Sequence, residues 1–251
     1  LSGGISMQNQ YDEDTFFNMY KEIRHSPLSY NEIVEFPEIK RYMPDLNSKH
    51  VLDIGCGFGH LLKYMKIFEP ASITGIDQSE KMISHCRADA DLRDAMFIQE
   101  DILSLSSSDQ YDFIISSLVF HYIEDFDLLS KKLYELLSGG GQLLFTIEHP
   151  IQTATVEKDL VMKDEQGIYA RVDHYFKESI RDSHWSNGII IKKYHHRIDT
   201  ILNSLIQNGF QIEAVKDLGD AAEVFDYYSD ERIHKLQTFP PFLLIKCRKV
   251  K

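Results

Sequence analysis

No run in this 251-residue chain approaches the ~20 apolar residues that a membrane-spanning helix needs. The start lacks the charged-then-apolar pattern of a secretion signal, and residues 1–6, ahead of Met7, read as a cloning scar outside the fold. Cysteine is scarce. Cys56, Cys86 and Cys247 are odd in number and widely spaced, with no paired motif. That argues against a disulfide framework or a cysteine zinc site and for a reducing, cytoplasmic setting. Positive charge is also short, with 27 Lys and Arg against 39 Asp and Glu and a formal net charge of −12. Enzymes of nucleic acids neutralise phosphates with basic surface, so the balance favours a small-molecule or protein substrate. The 11 histidines include no H-x-x-x-H pair, and the adjacent His195 and His196 would point to opposite faces of an extended segment; no metal site is expected. Internal repeats and low-complexity tracts are absent, and the length fits a single large domain.

What is present is alternation. Val51–Ile54 is a short apolar run ending in glycines, as in a buried parallel strand. Helical spacing follows over 59–69, and Pro70 stops it. Ser72–Asp77 reads as a second strand, with Ser79 placed to cap a helix that carries Met82, Ile83 and Cys86 on one face. Strands are expected at 96–101, 111–120 and 142–148, with an amphipathic helix over 124–138 ended by Gly139, Gly140 and Gly141. The rhythm then breaks. Residues 149–190 are polar and aromatic with weak periodicity, and 219–241 form an acidic excursion. Between them a helix is expected through Ile198–Ile206, and two last strands at 210–215 and 242–247. The pattern is that of an α/β, doubly wound, mostly parallel sheet with helices on both faces and an insertion after strand five.

Gly55, Gly57 and Gly59 lie between the first strand and its helix. Glycine permits positive φ and close approach of a ligand, and the helix start offers free N–H groups. Asp77 follows at the end of the next strand, where a carboxylate can accept from both hydroxyls of a ribose. The dinucleotide pattern G-x-G-x-x-G would need glycine at His60. Asp53 would stand close to a pyrophosphate, which is unfavourable, whereas a carboxylate there suits an ammonium group. No Walker A lysine follows the loop. The ligand expected is a cationic amino-acid nucleoside rather than a nicotinamide dinucleotide.

In this light VLDIGCGFG (51–59) resembles the first motif of class I S-adenosylmethionine-dependent methyltransferases. GID at 75–77 resembles their second motif, QED-I at 99–102 their third and YDFIISSLVFHYIED at 111–125 their fourth; LLSGGGQLLFTIEHP at 136–150 resembles the segment with strand five. The chain is most similar to small bacterial proteins of the type 11 group. The likeness is strong over 51–149 and holds in outline over 197–248.

The resemblance implies a seven-stranded sheet with an antiparallel last strand, S-adenosyl-L-methionine as cofactor and S-adenosyl-L-homocysteine as product. It implies that Asp53 and the loop Gly55, Cys56, Gly57 and Gly59 hold the methionine part. Asp77 would bind the ribose, with Gln78 beside it and Met82 near the adenine. Asp101 would accept from the adenine amino group and the Ile102 N–H would meet a ring nitrogen. Ser117 and Leu118 would lie under the sulfonium with His121 nearby, and Tyr20 and Arg24 near the cofactor carboxylate. Transfer is an in-line displacement, which asks chiefly for alignment and exclusion of water. The segment Ser116-Ser117-Leu118-Val119 stands where amino-methylating enzymes carry N-P-P-[YF], which makes base or glutamine methylation less expected. No catalytic residue is assigned; His121 and His149 are the candidates.

Two segments are expected to cover the cofactor. Residues 7–48 would form lid helices with Tyr11, Tyr20 and Arg24, beside a cofactor-binding core at 49–149. Residues 150–196 would form a cap, ahead of a C-terminal part at 197–251. Tyr11, His149, Tyr175, Arg181, Trp185 and His195 are the expected substrate contacts. The expectation is methyl transfer to O, N or S of a small molecule by a monomer or homodimer, without nucleic-acid or membrane partners. The alternatives are a tRNA or protein methyltransferase, a non-catalytic binder of the cofactor, and a nicotinamide oxidoreductase, which His60 and Asp53 disfavour.

Overall fold

The computed structural model describes residues 11–106, 109–157, 160–185, 188–220 and 222–250. The segment 1–6, read as a scar, lies outside them. Helix α1 (Asp14–His25) has Asp14 in its first turn and Arg24 and His25 in its last, as the helix dipole favours. A π-turn at Asn31–Glu35 leads into α2 (Phe36–Tyr42), with Pro37 in its first turn. The alternating core follows: β1 (His50–Ile54), α3 (His60–Lys66), β2 (Ser72–Asp77), α4 (Glu80–Ala88), β3 (Met96–Gln99), β4 (Tyr111–Ser117), α5 (Phe126–Leu136) and β5 (Leu137–Glu148). Two hairpins come next, β6 (Val161–Asp164) with β7 (Gly167–Ala170) and β8 (Ile180–His184) with β9 (Ile190–Tyr194). The chain ends with α6 (Ile198–Gln207), β10 (Phe210–Leu218), α7 (Asp230–Thr238) and β11 (Phe242–Lys249).

Seven strands form one sheet in the order β10-β11-β5-β4-β1-β2-β3. Only β11 runs against its neighbours; the other pairings are parallel. The sheet has the class and strand orientation the resemblance implies. Alternate residues of the inner strands point to opposite faces. Leu52, Ile114 and Phe145 pack with Leu129, Leu133 and Leu205 of α5 and α6. Val51, Phe113, Ile115 and Leu144 pack on the other face with Leu62, Met65 and Ile83 of α3 and α4. The chain runs outwards from β1 to β3, then crosses to β4 on the far side of β1. That reversal opens a crevice at the carboxyl ends of β1 and β4, where open α/β sheets bind ligands.

Four local readings differ. Strand four ends at Ser117, three residues early, because Leu118 takes a left-handed φ of +57°. The glycines at 139–141 lie inside β5, in an irregularity where Tyr111 pairs with Leu137 and Phe113 with Gln142. Such an irregularity needs unusual dihedrals, and Gly140 supplies φ +81°. The weakly periodic stretch after strand five holds the two hairpins. The acidic excursion holds a 3-10 turn and α7. Among the described residues no helix is long and apolar enough to cross a membrane, and no cluster of His, Cys, Asp and Glu is arranged to hold a metal.

Candidate active site

β1 delivers the chain into the glycine loop. Gly55, Gly57 and Gly59 have φ of +70°, +51° and +76°. A Cβ on Gly55 would sit 2.2 Å from a Val119 methyl, so both the dihedral and the space require glycine there. The N–H groups of Gly55 and Cys56 donate to the Ile76 carbonyl at 2.7 and 3.1 Å, which ties the loop to β2. Asp77 closes it: its Oδ2 accepts from Gly57 N at 2.9 Å and its Oδ1 from Ser79 N at 2.9 Å. Burial raises the Asp77 pKa, and these N–H donors oppose the rise. Ser79 caps α4 by accepting from Met82 N, and its hydroxyl donates to Asp12, which docks the N-terminal segment on the loop.

A cavity of about 270 Å³ opens beside this loop. Asp53, Gly55, Cys56 and Gly57 line it, as do Asp77, Gln78 and Met82 from the second unit. Asp101 and Ile102 close one side; Asp101 accepts from Gln78 Nε2 at 2.7 Å and from Leu103 N at 2.8 Å. Ser117, Leu118, Tyr11, Tyr20 and Arg24 line it from β4 and the N-terminal segment. Gly59 does not reach the cavity. Its Cβ would meet Leu92 at 2.6 Å, so its place is the packing of α3.

The electrostatics centre on Asp53. It is 1% exposed, and its Oδ1 has no hydrogen-bond partner among the described residues. Burial, reinforced by the charge of Asp77 and opposed by Arg24, lifts its pKa to about 8. Burial works against the charge of Arg24, but Tyr20 and Glu35 outweigh it and the guanidinium pKa is raised. An orphaned buried carboxyl near a retained guanidinium fits a zwitterionic amino-acid moiety, whose ammonium and carboxylate need one partner each. The residues present therefore suit S-adenosylmethionine. His60 also lines the cavity; burial first, then Arg24 and His25, lower its pKa to about 4.

Several of the expected residues lie elsewhere. His121 is buried outside the cavity wall; its Nδ1 accepts from Glu148 N at 3.3 Å, and burial lowers its pKa to about 3. His149 Nδ1 accepts from Ile151 N, and its Nε2 meets Asp217 at 3.1 Å. Arg181 donates to the carbonyls of Thr153, Lys177 and Ser179 at 2.9, 2.7 and 3.2 Å, so it braces the cap from within. His195 bridges Thr153 Oγ1 and the Tyr175 carbonyl, each at 2.8 Å, and the Tyr175 hydroxyl accepts from Ile198 N. Trp185 packs on Phe16 and Tyr20, with centroids 6.0 and 6.2 Å apart, so the cap and α1 meet behind the site. None of these six is among the residues that line the cavity.

Other lining groups escaped the sequence reading. Tyr122, Glu124 and Tyr194 also line the cavity, with Tyr11 and Tyr20, the last stacked on Phe58 of the glycine loop at 6.1 Å between ring centroids. Tyr11 donates to the Tyr122 hydroxyl at 3.2 Å. Glu35 lies behind the wall, 2% exposed, accepting from Ser117 Oγ at 2.6 Å, from Asn31 Nδ2 at 2.7 Å and from Thr146 Oγ1. Cues to these residues were thin: Tyr122 adjoins the noticed His121, and nothing local marks Glu35.

Comparison with known proteins gives matches along most of the chain. The family model described as "Methyltransferase domain" matches residues 45–201. An uncharacterized protein of Haemophilus influenzae is 36% identical over 255 residues, covering 96% of each chain. A solved Listeria monocytogenes structure, described as an S-adenosylmethionine-dependent methyltransferase, shares 35% identity with a TM-score of 0.76, over 86% of this chain and 97% of that one. A malonyl-[acyl-carrier protein] O-methyltransferase of Bacillus anthracis is 33% identical over 134 residues, 53% of this chain and 47% of its own length, so the likeness spans about half of each. With the family model covering more than half of the sequence, over a fold that ends in this loop and cavity, the chain belongs to the S-adenosylmethionine-dependent methyltransferases.

Proposed function

We propose that the cavity beside the glycine loop is where this enzyme transfers a methyl group from S-adenosylmethionine to an oxygen of a small-molecule acceptor. The observation that carries this is one cavity lined both by the glycine loop with the strand-end carboxyls and by the four tyrosines Tyr11, Tyr20, Tyr122 and Tyr194. The malonyl-[acyl-carrier protein] relative is named for oxygen methylation, which supports oxygen as the acceptor atom. Net charge −12 and three buried free thiols support a cytoplasmic setting without nucleic acid.

In this reading Asp53 accepts from the amino group of the bound cofactor and Arg24, with Tyr20, holds its carboxylate. Gly55, Cys56 and Gly57 let the backbone approach it. Asp77 accepts from the ribose hydroxyls with Gln78 beside it, while Met82, Asp101 and Ile102 enclose the adenine. Ser117 and Leu118 form the floor under the sulfur, and the buried Glu35 fixes the Ser117 hydroxyl. When bound, the cofactor supplies a methyl group already activated by its sulfonium. The protein aligns the acceptor and keeps water away. Segment 7–48 acts as a lid and 150–196 as a cap over the core at 49–149, with 197–251 completing the sheet.

Calorimetry with S-adenosylhomocysteine tests the cofactor half. Asp77→Ala should weaken binding by at least ~1–3 kcal/mol, the cost of hydroxyls left unpaired; unchanged affinity would remove Asp77 from the ribose. Transfer of a labelled methyl group to small molecules tests the rest, and label appearing only in protein or RNA would overturn the acceptor class.

A further inference from the structure

A second cavity, of about 670 Å³, shares Leu103 and Glu124 with the cavity beside the glycine loop. Its walls come from the turn after β4 with the start of α5, from the cap and from α6. Glu124, Asp125 and Asp127 belong to the first wall and Glu178 to the cap, and among the described residues no Lys or Arg lines it. Each carboxylate has one engagement. Glu124 bonds the Tyr194 hydroxyl. Asp125 Oδ1 caps α5 by accepting from Leu128 N at 2.9 Å, and Asp127 Oδ1 accepts from Asn208 Nδ2 at 2.8 Å. Glu178 meets Arg197, with Nε at 3.6 Å. The second oxygens of Asp125 and Asp127 stay open.

Acidic surface is usually no more than a solvated face. Two buried groups set this one apart. Thr200 and Ser204 stand one turn apart on α6 and both line the cavity, so this face of the helix points into it. Ser204 is 8% exposed, and its hydroxyl has no hydrogen-bond partner among the described residues. His196, 7% exposed, lines the same space. Its Nε2 donates to the Ile123 carbonyl at 2.8 Å, and burial lowers its pKa. The neutral ring therefore leaves Nδ1 as an acceptor. Buried polar groups of this kind call for a partner. The open functions of the cavity are thus acceptors, and they are spread out. Among the described residues no cluster of His, Cys, Asp and Glu is arranged to hold a metal, which needs oxygens converging on one point. Spread acceptors fit a ligand whose cationic donors are themselves spaced along a chain.

We propose that this second cavity binds an aliphatic di- or polyamine, one ammonium group among Glu124, Asp125 and Asp127 and another amine N–H on Ser204 and His196. An ammonium carries three donors and no acceptor, the complement of these walls. Leu103 and Phe126, which also line the cavity, offer apolar surface to the methylenes between the amines. The site is separate from the glycine loop and does not depend on the methyl-transfer reading.

The test titrates spermidine into the whole protein by calorimetry, with S-adenosylhomocysteine present and salt at about 0.15 M to screen diffuse attraction. One spermidine should bind per chain, with saturation below about 1 mM. Ser204→Leu fills the space and should weaken binding about tenfold or more. Asp127→Asn, at an exposed carboxylate, should weaken it about 3- to 5-fold. S-adenosylhomocysteine affinity should be the same in both variants as in the parent. Asp127→Asn carries the test by itself should Ser204→Leu fail to fold. Magnesium at the concentration of spermidine should leave the amine bound. Absence of saturable binding overturns the proposal. So does an affinity unchanged by Asp127→Asn, which would assign the attraction to the net charge, and so does displacement by magnesium. Failure of S-adenosylhomocysteine to bind would remove the cofactor reading alone, and the spermidine titration would still decide this site.

Discussion

Asp53 combines features that rarely coexist without function: full burial, an unpaired oxygen and a pKa lifted to about 8. Its folded pKa lies above its unfolded value, so between those values the folded state holds a proton the unfolded state has lost. Stability from this group is greatest at low pH and is lost as pH rises towards 8. Asp53→Asn should therefore gain stability relative to the parent as pH is raised from about 4 to 8, read as a widening difference in unfolding midpoint. A constant difference would show that Asp53 titrates normally. Cofactor binding should draw the opposite response. An ammonium partner favours the carboxylate, so S-adenosylhomocysteine should release protons on binding at pH 7 in the parent and not in Asp53→Asn. Calorimetry in buffers of different ionisation enthalpy measures this, and equal proton counts would detach Asp53 from the ammonium. Gly55 is the other decisive residue. Gly55→Ala adds a methyl 2.2 Å from Val119 at φ +70° and should abolish detectable cofactor binding, whereas Gly57, with open space around its Cβ position, should tolerate alanine better despite its own positive φ.

At the scale of elements, β1, β2, β4 and β5 could be read from the sequence because strands buried on both faces are written as near-continuous apolar runs between glycine and capping residues. The glycine loop was legible for the same reason: its glycines and Asp77 sit at strand ends whose positions follow from those runs. The hairpins β6–β9 were not. Their strands are four or five residues long with mostly exposed or half-exposed positions, so no periodicity marks them. Tyr11 and Tyr20 were expected at the site, but Tyr122 was not, because its place depends on one dihedral. Leu118 in the left-handed region ends β4 and starts the turn in which Tyr122, not His121, reaches the cavity. Likewise Arg181 and His195 stood out by chemical type, but their donors serve the cap's own carbonyls. The cap is held to β5 by Lys193 and Glu148, a pair largely withdrawn from water. Lys193→Met would strand the Glu148 charge and should destabilise the protein by about 3 kcal/mol. Adding Glu148→Leu should restore most of that loss in denaturant unfolding. Equal stability of the single and double variants would show that the pair does not couple cap and sheet.

At the scale of the whole molecule, the sheet reversal places the crevice, and two unrelated segments roof it. α1 and the hairpin β8–β9 meet through Phe16, Tyr20 and Trp185, so one aromatic cluster joins the N-terminal segment to the insertion. The family match spans the core and the insertion, 45–201, but leaves out α1 and the last strands. The match takes in the glycine loop and the strand ends together with Tyr122 and Tyr194, while Tyr11 and Tyr20 lie outside it. The most direct test of the whole account is a crystal structure with S-adenosylhomocysteine bound. The account predicts its amino group on Asp53, its ribose on Asp77, and its sulfur facing an open space bounded by Tyr11 and Tyr122. A sulfur whose forward face is blocked by protein side chains, or a ligand seated away from Asp53 and Asp77, would contradict it.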